Sequence, residues 1–294
     1  MNTRRSTVPA GEIILYAFMA IVSLLCIIPF IIILSSSMTR ETDILMHGYN
    51  IFPKNFDFNA YRFLFQRMDV VLTGYKVTSL VTIIGTVASL IISAMIAYPI
   101  SLRRLKYRRF ISGYVLLTLL FNGGMVPWYI INVKYLHLHN NLWALILPSL
   151  VNGFNIFLMR NYFSSIPEEM HESAKIDGAS EVRTLLSIIL PLSVPVFASV
   201  GLFIGLAYWN DWWLGLMLID KTDLQPLQLM LRTIVSNVDY LANSSVLSTG
   251  TDQMVPRESV KMAATIVTIG PIIFLYPFLQ RYFVKGLMMG AVKG

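Results

Sequence analysis

Residues 165–191 read S-I-P-E-E-M-H-E-S-A-K-I-D-G-A-S-E-V-R-T-L-L-S-I-I-L-P, a long charged stretch set between two apolar runs. Ser165 and Glu168 have capping-box spacing, and Pro167 falls in a first turn, where its missing N–H costs nothing. Glu168 and Glu169 face the positive end of the helix dipole. A short helix is expected to start here and to end at Gly178, which can take the left-handed conformation of a helix C-terminus. Ser180 is placed to cap a second helix. Met170, Ser173, Ala174 and Asp177 then share one face, with little bulk to keep a partner away.

The surrounding chain sets the class. It has 294 residues, 55% of them hydrophobic and only 13% charged. A soluble domain carries about a quarter charged residues, so the composition is that of an all-α polytopic membrane protein. Cys26 is the single cysteine and lies in an apolar run, which excludes a disulfide framework and leaves it as a small core or lipid-facing residue. The net charge of +7 does not indicate nucleic acid, because the basic residues gather at the ends of apolar runs, where they anchor topology and meet anionic lipid.

Six runs are long enough to cross a hydrocarbon core of ~30 Å. They cover about 13–34, 77–100, 110–133, 140–159, 192–214 and 262–280. The first is too long for a signal-peptide core and no small-x-small site follows it, so it is read as a span with a bend at Pro29. Arg103 to Arg109 holds five basic residues in seven, the strongest orientation signal in the chain. That loop is placed inside, with Arg4, Arg5, Arg160, Arg281, Lys285 and Lys293, so both termini are expected in the cytoplasm. Residues 35–76 and 220–261 become outer segments. Ala60 to Phe65 should form a short helix at the outer interface, and Asn243, Ser244, Ser245 and Gly250 suggest an exposed stretch.

Several residues inside the spans admit two readings. Asn122-Gly123-Gly124 and Pro127 should break the third span; the break either lines a cavity or permits close packing. Asn152 and Asn155 lie in the fourth span, where amides need partners on another helix or along a hydrated pathway. Trp209, Asn210 and Asp211 belong to A-Y-W-N-D-W-W, which is either an aromatic belt or a sugar site, with rings for apolar faces and polar groups for hydroxyls. His137 and His139 are too few for a metal site and read as interfacial.

Glu172-Ser173-Ala174, Asp177-Gly178-Ala179, then Ile188, Leu190 and Pro191 resemble the E-A-A…D-G-A…I-x-L-P signature of the membrane-spanning subunits of bacterial ABC importers, with Ser173 at the first Ala. The tail from Gln280-Arg281 through Gly286-Leu287 to Gly290-Ala291-Val292-Lys293-Gly294 is similar to the ending of carbohydrate-importer permeases, and Phe121 to Pro127 to the aldouronate and polysaccharide type. The resemblance implies a type I importer transmembrane domain in the bacterial cell membrane. It implies that the 165–190 region, through Glu172, Ser173, Ala174, Asp177, Gly178 and Ala179, is a coupling helix docked on an ATPase. It also implies a second permease as heterodimer partner, two ATPases and an extracytoplasmic solute-binding protein, which part of 240–256 would meet. The expected cargo is an oligosaccharide, uronate-containing sugars among the options, with Asn122, Asn152, Asn155, Trp209, Asn210 and Asp211 as candidate pathway residues.

No G-x-x-x-x-G-K-[ST] loop occurs, so ATP and Mg are expected on the partner ATPase, with no cofactor on this chain. Two other classes compete. An ion-coupled secondary transporter needs mid-membrane ionisable groups, for which Asp211 is the one candidate. A membrane enzyme needs a cluster that the histidines at 47, 137, 139 and 171 do not supply. The orientation is open to test: a cysteine at Lys106 in intact cells should resist an impermeant thiol reagent applied from outside, and labelling there would invert the topology.

Overall fold

Charge-free runs become helices because hydrocarbon offers a backbone N–H or C=O no partner but the chain itself. The computed structural model describes residues 10–66, 68–245, 256–270 and Ile273. Among these residues regular structure is helical, apart from one isolated bridge between Thr39 and Phe56. The expectations for Arg4 and Arg5, for 246–255, for most of the sixth run past Gly270 and for the 280–294 tail lie outside the described residues.

The chain divides into two compact units, 1–68 with 231–270, and 69–230 with 271–294. In the first, α1 (Ala10–Ser37) is one 28-residue helix that keeps Pro29 inside it. At 1.5 Å per residue it is roughly 42 Å long, more than a bilayer core. Ile13, Leu15, Phe18 and Leu24 are all exposed, as side chains that face lipid should be. Two short helices follow, α2 (Glu41–His47) and α3 (Asn59–Phe65), the second where the aromatic cluster predicted one. The Glu41 carboxylate is 7% exposed. It accepts from the backbone N–H groups of Glu258 and Ser259 at 2.8 and 2.9 Å and from Ser259 Oγ at 2.7 Å. Glu41 therefore caps the helix over 257–270, satisfying amides that have no partner within that helix.

The second unit is built on α4 (Met68–Ser101), which begins at Met68 rather than at Val77. The remaining spans are bent. The third is α5 (Arg108–Leu120) and α6 (Met125–Ile130), the latter continuing to Tyr135, with a 110° turn between them at the predicted Asn122-Gly123-Gly124 break. Gly124 takes φ +87, a conformation open to glycine at little cost.

Residues 140–159 are not one helix. Short 3₁₀ turns over Leu142–Leu145 and Leu147–Ser149 precede α7 (Gly153–Phe163) at 53°, because Pro148 interrupts the run and Asn141 and Asn152 cap new starts. The fifth span bends by 82° at Ser193, between Pro191 and Pro195. Its membrane half is α11 (Val194–Trp209); the helical turns before it are α8 (Glu168–Ile176), α9 (Glu181–Thr184) and α10 (Leu190–Leu192). Two further helices are α12 (Trp213–Leu218) and α13 (Leu227–Ser245), the latter within the expected outer segment 220–261 and running to Asn243, Ser244 and Ser245.

Ala97, Ile100, Ile156, Met159, Ile189 and Leu218, each at most 1% exposed, anchor the core of this unit. Gly85 of α4 is packed against the Tyr208 ring of α11 so closely that a Cβ there would lie 2.6 Å from it. The ring cannot move aside, because Tyr208 Oη donates to Ile146 O at 2.9 Å. Gly85→Ala should therefore destabilise the protein by about 1–3 kcal/mol. Thermal unfolding in detergent should show a lowered midpoint, against no loss for Gly11→Ala, where nothing lies within 4 Å.

Candidate functional site

The charged segment forms the expected pair of short helices, with one change at its start. Ser165 does not cap α8. Its Oγ donates back to Tyr162 O at 2.7 Å, closing the turn that ends α7, and Pro167 takes the N-cap position without a side-chain bond. The far end follows the sequence. Gly178 N–H donates to Lys175 O at 3.1 Å and Ala179 N–H to Ala174 O at 2.9 Å, the paired bonds of a Schellman motif, with Gly178 at φ +73. Ser180 caps α9, its Oγ accepting from Arg183 N–H at 3.3 Å.

The face that holds α8 in place is narrow. Ala174 and His171 are buried, while Met170, Glu172, Ser173, Asp177 and Gly178 are exposed. Ala174 is thus an anchor rather than part of the free face. The His171 ring stacks on Tyr98 of α4 with centroids 6.0 Å apart. Ser173, standing where the signature has Ala, returns its hydroxyl to Glu169 O at 2.8 Å and so leaves no unpaired polar group. Ile176 is 86% exposed, an apolar side chain left open at the end of a charged helix. No motif marks it in the sequence, since the signature residues stop at Ala174 and resume at Asp177.

Glu181 of α9 ties the segment to the basic loop. It pairs with Arg104 and accepts from Tyr98 Oη at 3.3 Å. Exposed as it is, this pair fixes geometry more than it stabilises. Arg160 Nε and Ser164 Oγ donate, each at 3.4 Å, to Ile100 O and Ser101 O at the end of α4. The Arg103 to Arg109 loop and the 165–190 segment therefore sit at the same end of α4. Between them opens a cleft of ≈ 1430 Å³ that includes Arg103, Arg108, Arg160, Glu168 and Glu172.

A second cleft, of ≈ 410 Å³, lies among α6, α7, α11 and α12. Asn152, Asn155 and Asp211 line it together with Trp128 and Trp213. The two indole rings meet with centroids 4.6 Å apart at 47°. Asn152 Oδ1 caps α7 through Phe154 N–H at 2.9 Å. Asp211 Oδ1 accepts from Trp213 and Leu214 N–H at 2.8 and 3.1 Å, which holds the start of α12. The structure does not bring the other three candidates here. Asn122 Oδ1 accepts from Gly124 N–H at 2.8 Å in the bend after α5. Trp209 is buried near Tyr75, and Asn210 bonds Leu206 O and Gln228. Trp128 was not singled out from sequence, and its only signal is its place beside Pro127. His139 Nε2 pairs with Asp220 at 3.1 Å, and among the described residues no group of three potential ligands could hold a metal.

Over 96% of this chain and 99% of the other, the fold matches a crystal structure of a bacterial ABC transporter involved in the import of the acidic polysaccharide alginate, with TM-score 0.77 and 29% identity. The fold is thus that of an ABC importer permease. The chain belongs to the family of binding-protein-dependent transport system inner membrane components, whose model matches residues 9–288. It is 35% identical over 283 residues (96% of this chain, 98% of the relative) to the polygalacturonan/rhamnogalacturonan transport system permease protein YtcP of Bacillus subtilis. It is 37% identical over 277 residues (94% and 92%) to Protein LplC of the same organism.

Burial against α4 holds the His171 imidazole below its ordinary pKa, and the Arg104 charge pushes it the same way. A histidine harder to protonate in the folded state than in the unfolded one adds its full stability above about pH 6.5, and loses it as pH falls toward the lower folded value. Protection factors of the α8 amides, which already divide out the intrinsic slowing of exchange at lower pH, should therefore fall on acidification from pH 7.5 to 5.5, and His171→Gln should flatten that dependence.

Proposed function

We propose that this chain is one permease subunit of an ATP-driven importer of oligosaccharides, multi-pass in the bacterial cell membrane, six-spanning and with both termini in the cytoplasm. A second permease completes the pathway, two ATPases bind ATP and Mg, and an external binding protein delivers the sugar. The observation that carries this reading is the exposure of Glu172, Ser173 and Ile176, with Asp177 just beyond them, on a nine-residue helix whose opposite side holds the buried Ala174 and His171, the latter stacked on Tyr98 of α4. Such a helix offers a docking face on a rigid mount. In this reading it docks on the ATPase, and closure of the two ATPases moves it together with α9 and the ends of α4 and α7. The spans then reorient, and the cargo biases them only by binding the two states unequally.

A saccharide cargo is supported by two things. One relative that shares a third of the sequence carries pectic polymers in its name. The aromatic and amide lining of the smaller cleft suits sugar rings and hydroxyls. Part of 240–256 would meet the binding protein.

The test is ATP turnover in the assembled, reconstituted transporter. Glu172→Lys should leave insertion and complex assembly intact but reduce the stimulation of ATPase activity by loaded binding protein at least ten-fold, and Gly178→Val, strained at φ +73, should do the same. Normal stimulation in both would remove the coupling role.

A further inference from the structure

The smaller cleft carries a selectivity that the reading above leaves open. Its floor is fixed: Tyr208, buried beneath it, is held by Ile146 O and packed against Gly85. One wall is the Trp128–Trp213 pair. The polar groups are few. Asn155 is 9% exposed and, among the described residues, its amide makes no hydrogen bond, although it borders the cleft. An amide that opens on a cleft without a protein partner has two donors and an acceptor to offer a bound hydroxyl. Asp211 spends Oδ1 on two backbone N–H groups, and its Oδ2 has no partner among the described residues. Among the described residues no Lys, Arg or His borders the cleft.

That inventory distinguishes sugars. At ≈ 410 Å³ the cleft lies low in the range of about 300–1,000 Å³ typical of small-molecule sites, room for a short saccharide segment. Indole rings take the apolar C–H face of a pyranose, Asn155 exchanges hydrogen bonds with a hydroxyl, and Asp211 Oδ2 accepts from another. A uronate carboxylate has no proton to give to Asp211. It would set a second negative charge against the first in a partly desolvated space with no cation to offset either, an arrangement that disfavours the charged forms of both.

We infer that the cleft bounded by Trp128, Trp213, Asn155 and Asp211 is a binding subsite for an uncharged pyranose unit of the transported saccharide and excludes a uronate from that position. The inference rests on the importer reading and adds to it which sugar this subunit touches. In a cargo that mixes acidic and neutral units, the neutral unit is the one seated here.

Galactotriose and trigalacturonate, which differ only at C6, are suitable probes. Saturation-transfer NMR on the purified, assembled transporter without binding protein should report galactotriose binding, with trigalacturonate at least ten-fold weaker. Trp213→Ala should lower galactotriose affinity at least ten-fold, Trp213→Phe should retain most of it, and Asp211→Asn should narrow the preference between the two probes. Thermal midpoints of the variants show that they remain folded. Equal or tighter trigalacturonate binding by the native chain, no binding of either probe, or an unchanged affinity in a folded Trp213→Ala would overturn the subsite. ATPase stimulation by loaded binding protein in the same preparation keeps the importer reading separate: its presence would leave that reading standing even where the subsite fails.

Discussion

A peptide group inside a bilayer has no water to fall back on, and where a chain stops being a regular helix a side chain can supply the missing partner. The structure does so with short polar residues set two or three positions before the amide they satisfy. Asn122 serves Gly124, Asn141 serves Ala144, Asn152 serves Phe154, and Asp211 serves Trp213 and Leu214. Each lies at a break or a fresh helix start, so the bends of the third and fourth spans and the turn after α11 are capped interruptions rather than distortions of a continuous rod.

This constraint also explains why polar residues within apolar runs are ambiguous in a sequence. An Asn at membrane depth can be read as bonding another helix or as lining a hydrated pathway, because hydrocarbon offers its amide no partner. In the fold, Asn122 is used up by its own bend, Asn152 divides its amide between a cap and a cleft, and Asn155 alone of the three keeps its polar end uncommitted among the described residues. Asp211 does both jobs with its two oxygens, one structural and one available.

The local chemistry of the charged segment was legible from the chain: Gly178 as terminator, Ser180 as cap, and the break at Asn122-Gly123-Gly124 all follow from backbone preferences that act within a few residues. Ser165 misled because two helix ends compete for it, and the end of α7 wins. The fourth span looked uniform because average hydropathy does not register a 3₁₀ turn at Pro148. The α13 helix was overlooked although Leu227, Met230, Leu231, Ile234 and Val238 recur at helical spacing, since the polar residues beyond them drew the attention. Trp128 and Trp213 could not have been paired at all, because only the 110° bend of the third span brings them together.

The bare backbone at Gly85 has a mechanical meaning. With the Tyr208 ring resting on it, α4 and α11 mesh like two teeth with no soft padding between them, and close-packed interiors yield little under load. The same α4 carries near its C-terminal end the stacked His171 and the Glu181 bond to Tyr98. One stiff shaft is therefore gripped at its middle and near one end, and in the proposed cycle a displacement of the 165–190 segment would reach the wall of the small cleft with little lost on the way.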